Sequence, residues 1–127
     1  MDQALIGTGF GYLPQHRSRQ AQVLAAVLPR VRDIRRLGSA ALDLCLVASG
    51  RLDGYYEQGL NAWDIAAGML IAREAGVLVT GLGGHPPSDR FLLAACAPLH
   101  SDLVAMLGAV DADASGEGPA DTPTQDQ

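Results

Sequence analysis

Between Tyr55 and Gly68 the chain changes its period, and that change restricts the folds open to it. Tyr55-Tyr56-Glu57 has the character of a short aromatic strand after a turn at Leu52-Asp53-Gly54. Gly59 turns the chain. Asn61 stands where a helix cap is wanted, ahead of Trp63-Asp64 and an apolar series at Ile65, Ala66, Met69, Leu70 and Ala72 or Arg73 that ends at Gly76. A strand running through a tight turn into a helix belongs to a layered α/β structure. In such structures functional groups gather at the C-terminal ends of strands and the N-termini of the helices that follow. Two acids, Glu57 and Asp64, converge on this corner. Taken alone, Asp64 is accounted for by the helix dipole, which favours an acid in the first turn by about 0.3–1 kcal/mol.

The flanking segments repeat the alternation. Ala4 to Tyr12 reads as a strand entering a glycine-rich turn that Pro14 closes. Gly7-Thr8-Gly9 fails as a dinucleotide fingerprint, because Tyr12 stands where the third glycine belongs and no acid follows at the required distance. Those glycines are expected to relieve crowding at a strand end. Ser18 is a candidate cap for a helix carrying Val23, Leu24, Val27 and Leu28, which Pro29 ends or kinks. Asp33 to Leu37 is a short strand or an extended link leading to Gly38-Ser39.

After Gly38-Ser39, the residues Leu37, Ala40, Ala41, Leu44, Cys45 and Ala48 recur at the spacing of a buried helical stripe, stopped by Ser49-Gly50. Ser39 suits a cap, and the small residues Gly38-Ser39-Ala40 also let a ligand approach the free N–H groups of the helix. Ser39 is no nucleophile elbow, since G-x-S-x-G is missing. Val77 to Thr80 and Phe91 to Cys96 are expected strands around a Gly-Pro loop. Pro98 opens a last helix with Leu99, Leu103, Met106, Leu107 and Val110 on its apolar side.

Charge narrows the choice of partners. Nine arginines and no lysine face 14 acids, but five of those acids follow Val110, so residues 1–110 balance at nine of each sign. No basic stripe with interleaved aromatics is present, and nucleic acid is not an expected partner. No apolar run is long enough to span a bilayer, and no signal-peptide pattern opens the chain, so the expectation is no membrane and a cytoplasmic location. Residues 1–110 are expected as one α/β unit and 111–127 as a disordered acidic tail. Cys45 and Cys96, with apolar neighbours and no C-x-x-C spacing, read as reduced core residues. His16, His85 and His100 have no metal-ligand spacing and read as surface histidines.

Three motifs in order carry a family resemblance: R-x-G-S-A-A-L-x-L from Arg36, G-x-x-D-x-Y-x-E from Gly50 to Glu57, and W-D-x-A-A-G from Trp63, with Glu74-Ala75-Gly76 closing the series. Across roughly residues 4–108 the chain resembles the C-terminal half of the inositol monophosphatase family. That resemblance implies a layered α/β sandwich, a mixed sheet flanked by helices, and Mg²⁺-dependent hydrolysis of inositol monophosphate. It also implies a homodimer in the complete fold. It makes Asp64 a metal ligand, Glu57 a contact to a ring hydroxyl, and Gly38, Ser39 and Ala40 substrate contacts made partly through the backbone.

The family's remaining metal ligands, a glutamate at a helix end and a D-P-[IL]-D-G-T motif, are not found in these 127 residues. No catalytic residue is therefore assigned. The chain is expected to be a truncated form that lacks the N-terminal ligands and is inactive by itself. Two alternatives stay open: a related phosphatase acting on a sugar, histidinol or nucleotide phosphate, and a non-catalytic chain that binds a partner.

Overall fold

The computed structural model describes residues 1–115. Five strands, β1 (Leu5–Thr8), β2 (Asp33–Arg35), β3 (Gly54–Glu57), β4 (Leu78–Thr80) and β5 (Leu92–Ala95), form one mixed sheet in the order β2-β1-β3-β5-β4. β1 runs parallel to β2 and β3, while β5 runs antiparallel to both β3 and β4. The C-terminal ends of β1, β2 and β3 thus share one edge with the start of β5.

Strand side chains alternate between faces, and each face takes its own pair of helices. On one face, Tyr56, Leu93 and Ala95 pack with Val23 and Val27 of α1 (Pro14–Val27) and with Leu103, Met106 and Leu107 of α4 (Leu99–Ala109). Tyr56 stacks on Phe91 there, with ring centroids 6.1 Å apart. On the other face, Tyr55, Leu92 and Ala94 pack with Leu44 and Val47 of α2 (Ala40–Ala48) and with Ile65 and Ala72 of α3 (Ala62–Glu74). The result is a three-layer α/β/α arrangement.

Local chemistry explains where these elements begin and end. Ser39 caps α2, its Oγ accepting the Leu42 N–H at 3.2 Å, as its position ahead of the apolar stripe predicts. Gly38, Gly59 and Gly76 all have φ between +82° and +86°, the left-handed turns that glycine makes without a Cβ penalty. Asp53 ties β1 to the turn before β3. Its carboxylate accepts the Leu5 N–H at 2.7 Å, and its own N–H donates to the Leu5 carbonyl at 2.9 Å.

Several expectations are corrected. α1 starts at Pro14, four residues before Ser18, because proline fits the first helical position with φ already set and no N–H to satisfy. Asn61 occupies the cap position of α3 with extended backbone but makes no side-chain capping bond. The stripe of α2 is Asp43, Leu44 and Val47, leaving Leu37 exposed, since the helix starts only at Ala40. Cys96 is exposed just beyond β5, and Cys45 is half-buried; both are free thiols. His100 is half-buried against β4, bonded to Thr80 Oγ1 at 2.8 Å, and burial holds it below the usual histidine range.

Of the stretch expected as a tail, residues 111–115 turn back over the fold and bury Ala112. Arg19 donates to the carbonyls of Val110 and Asp111, Gln58 to that of Ala114 at 2.9 Å, and Arg90 pairs with Asp113 at 3.1 Å. Residues 116–127 lie outside the described part. No helix among the described residues is long and apolar enough to cross a membrane.

Candidate functional site

At the shared strand edge lies an open cleft of about 1070 Å³. Gly9 to Leu13 continue from β1 along one wall, and Arg36 with Gly38-Ser39-Ala40-Ala41 follows from β2 into α2. Glu57 to Asn61 and Asp64 come from the corner between β3 and α3, and Asp89 and Arg90 lead into β5. The five residues named from the sequence, Gly38, Ser39, Ala40, Glu57 and Asp64, therefore meet in one cavity. Asp113 and Ser115, from the returning C-terminal stretch, complete its rim.

Each wall offers different chemistry. The first turn of α2 points into the cleft, and only some of its N–H groups have partners: those of Leu42 and Asp43 go to the Ser39 side chain and carbonyl. The earlier N–H groups, with the positive end of the helix dipole, are suited to an anionic oxygen. Arg36 adds a cation at the same wall, its guanidinium 6.0 Å from the centre of the Phe10 ring. Asp64 is exposed at the start of α3, a hard oxygen donor open to the cavity.

Glu57 is held more closely. It lies on the same face of β3 as Tyr55, whose hydroxyl donates to Glu57 Oε1 at 2.8 Å. Burial raises the Glu57 carboxyl above the usual range; the Tyr55 hydrogen bond and Arg36 pull it down, and Asp64 pushes it up. Burial also raises the Tyr55 phenol, with the Glu57 charge adding to the effect.

Beneath these groups sits an acid that the sequence pattern did not single out. Asp43 is fully buried, and neither carboxylate oxygen has a hydrogen-bond partner among the described residues. Burial, reinforced by the charge of Glu57 and opposed by Arg36, pushes its carboxyl up to about 7. The signal that could have found it is an acid falling inside the three-and-four series Ala40, Asp43, Leu44, Val47. Arg36 was likewise missed as a cleft residue.

The family model described as the inositol monophosphatase family matches residues 1–112. A curated relative, an inositol-1-monophosphatase from Mycobacterium bovis, is 52% identical over 108 residues, which is 84% of this chain and 37% of that protein. A Nus factor SuhB from Vibrio cholerae is 50% identical over 82 residues, 64% of this chain and 31% of that protein. Among solved structures, Mycobacterium tuberculosis SuhB superposes with a TM-score of 0.76 at 51% identity, covering 87% of this chain and 43% of its own. An inositol monophosphatase from Anabaena gives a TM-score of 0.75 at 34% identity, covering 85% and 44%. The chain thus spans well under half the length of the relatives it matches, and over that span the family model, the sequence identity and the superposed fold agree on one assignment: it belongs to the inositol monophosphatase family.

Proposed function

We propose that the cleft binds the phosphomonoester of inositol and forms the substrate-side wall of a Mg²⁺-dependent phosphatase centre. The observation that carries this reading is the convergence of Gly38-Ser39-Ala40, Glu57 and Asp64 on one cavity at the strand edge. The helix start at Ala40 and the Arg36 guanidinium suit a phosphate, whose charge they oppose. Glu57, held by Tyr55, suits a ring hydroxyl, since an ionised carboxylate accepts only and a sugar-like ring presents donors.

Asp64 suits Mg²⁺, a hard cation that takes carboxylate oxygens in a near-octahedral shell. Among the described residues, however, no three of His, Cys, Asp and Glu come together to hold a metal ion. The described residues do not make a complete ion site, and the chain's own contribution to hydrolysis is orientation. The phosphate lies at α2 and the ring against Glu57, with the bond between them turned toward Asp64. Association between copies, the family habit, is supported by the exposed apolar side chains Trp63, Leu70 and Ile71 along α3. The cytoplasm is the compartment this reading expects.

The incomplete ion site also favours a second reading, a chain that binds its partner or ligand without turnover. Phosphate release from inositol 1-phosphate in Mg²⁺ at enzymatic rates would remove that reading. The binding claim is checked by calorimetry of the chain with inositol 1-phosphate and with inorganic phosphate. Glu57→Gln is expected to weaken the ester about 10-fold or more, the equivalent of one charge-assisted hydrogen bond, while leaving inorganic phosphate within about twofold. Equal losses for both ligands, or no binding of either, would count against the assignment.

A further inference from the structure

The Gly7-Thr8-Gly9 end of β1 has no dinucleotide role, yet its geometry is specific. Gly7 lies on β1 and Gly9 is the first residue past its end, and a Cβ on either would meet groups from the α2 and α3 side of the sheet. A Cβ on Gly7 would stand 3.0 Å from Asp43 Oδ1 and 2.9 Å from a Leu52 methyl. A Cβ on Gly9 would stand 2.6 Å from Glu57 Cδ and closer still to Oε1. Each glycine therefore leaves the space in which one acid lies against the strand.

We propose that Gly9 and Tyr55 are positioning residues for Glu57: Gly9 supplies the hollow in which the carboxyl rests, and Tyr55 fixes one of its oxygens so that the other faces the cleft. The inference rests on the reading of Glu57 as the ring-binding acid, but the seat itself is independent of any ligand. Three observations agree on it. The three atoms nearest a Cβ on Gly9 all belong to the Glu57 carboxyl, so a methyl there pushes first on the end of that side chain. The Tyr55 hydroxyl reaches Oε1, the same oxygen that lies nearest Gly9. Gly9 has no left-handed φ, so its small size, and not its backbone freedom, is what the site uses.

The underlying layer repeats the device. Asp43, seated under Gly7, has no hydrogen-bond partner among the described residues, and burial together with the Glu57 charge favours its protonated form. The charged groups acting on Glu57 are then Arg36 from the segment after β2 and Asp64 from α3.

The test is Gly9→Ala in the full chain, read by NMR of the Tyr55 hydroxyl proton and the Glu57 carboxyl carbon. Gly108→Ala on α4, where an added methyl meets nothing within 4 Å, is the control. The wild type and the control are expected to show a Tyr55 hydroxyl proton exchanging slowly with water. Gly9→Ala is expected to lose that protection and to move the Glu57 carbon toward the shift of an exposed glutamate, with a thermal midpoint within about 5 °C of wild type. Tyr55→Phe should move the Glu57 carbon as well. An unchanged Tyr55 proton and Glu57 carbon in Gly9→Ala would overturn the seat. In the same samples Gly9→Ala should weaken inositol 1-phosphate about 10-fold relative to inorganic phosphate. If the resonances move but that ratio does not, the seat stands and the ring-binding role of Glu57 fails.

Discussion

Replacing Gly68 with leucine is expected to lower the stability of the chain by about 3 kcal/mol, a fall of roughly 12 °C in its thermal midpoint. Gly68 lies in the middle of α3, where α3 crosses α2 at close range. A Cβ added there would stand 2.9 Å from Leu44 Cδ1, 3.0 Å from Leu44 Cβ and 3.5 Å from the Ala41 Cα. Leu44 is fully buried, and a close-packed interior leaves it little room to shift. The larger side chain must therefore push the two helices apart. That displacement also reaches the cleft, because α2 begins with the Gly38-Ser39-Ala40 turn and α3 with Asp64. Gly108→Ala, also inside a helix but with nothing near the added methyl, is expected to raise stability by about 0.5–1 kcal/mol through helix propensity alone. Thermal unfolding of both variants by circular dichroism gives the comparison. Similar midpoints for the two would contradict the close packing of α2 on α3.

Asp43→Asn is expected to stabilise the chain at neutral pH and to leave it nearly unchanged in acid. In the folded chain the Asp43 carboxyl is pushed up to about 7, whereas the unperturbed value is 3.8. Below 3.8 both folded and unfolded forms hold the proton, and no penalty exists. Between 3.8 and about 7 only the folded form holds it, so stability falls as pH rises and levels off above about 7. Asparagine has nothing to titrate and escapes that penalty. At about 1.4 kcal/mol per pH unit, the span sets an upper bound of about 4 kcal/mol on the gain. Urea denaturation at pH 4 and pH 8 measures it as the difference between wild type and variant, which cancels the other titrating groups. A difference that stays constant with pH would show that folding does not raise the Asp43 carboxyl.

What the sequence made legible follows from what is local. The alternation of strands and helices, the Ser39 cap and the corner from Glu57 to Asp64 depend on period, turn chemistry and capping, all of which act within a few residues. The strand order does not, since β5 inserts between β3 and β4 by pairing across distant segments. Asp43 escaped for a related reason. An acid in a helix is ordinarily a solvated residue, and here it is buried with Gly7, from another segment, beside its carboxylate. The same holds for Cys96, whose apolar neighbours suggested the core although the chain leaves the sheet at that point. Gly9 was read as relief from crowding. The crowding group, Glu57, comes from a strand 48 residues away in sequence and only the fold identifies it.

The account stands most directly on where a phosphomonoester binds. Amide shift mapping of the ¹⁵N-labelled chain titrated with inositol 1-phosphate should give its largest changes at Gly38 to Leu42, Glu57 and Asp64, with the α4 residues Leu99 to Ala109 unmoved. Changes confined to α1 and α4, or none at millimolar ligand, would contradict it.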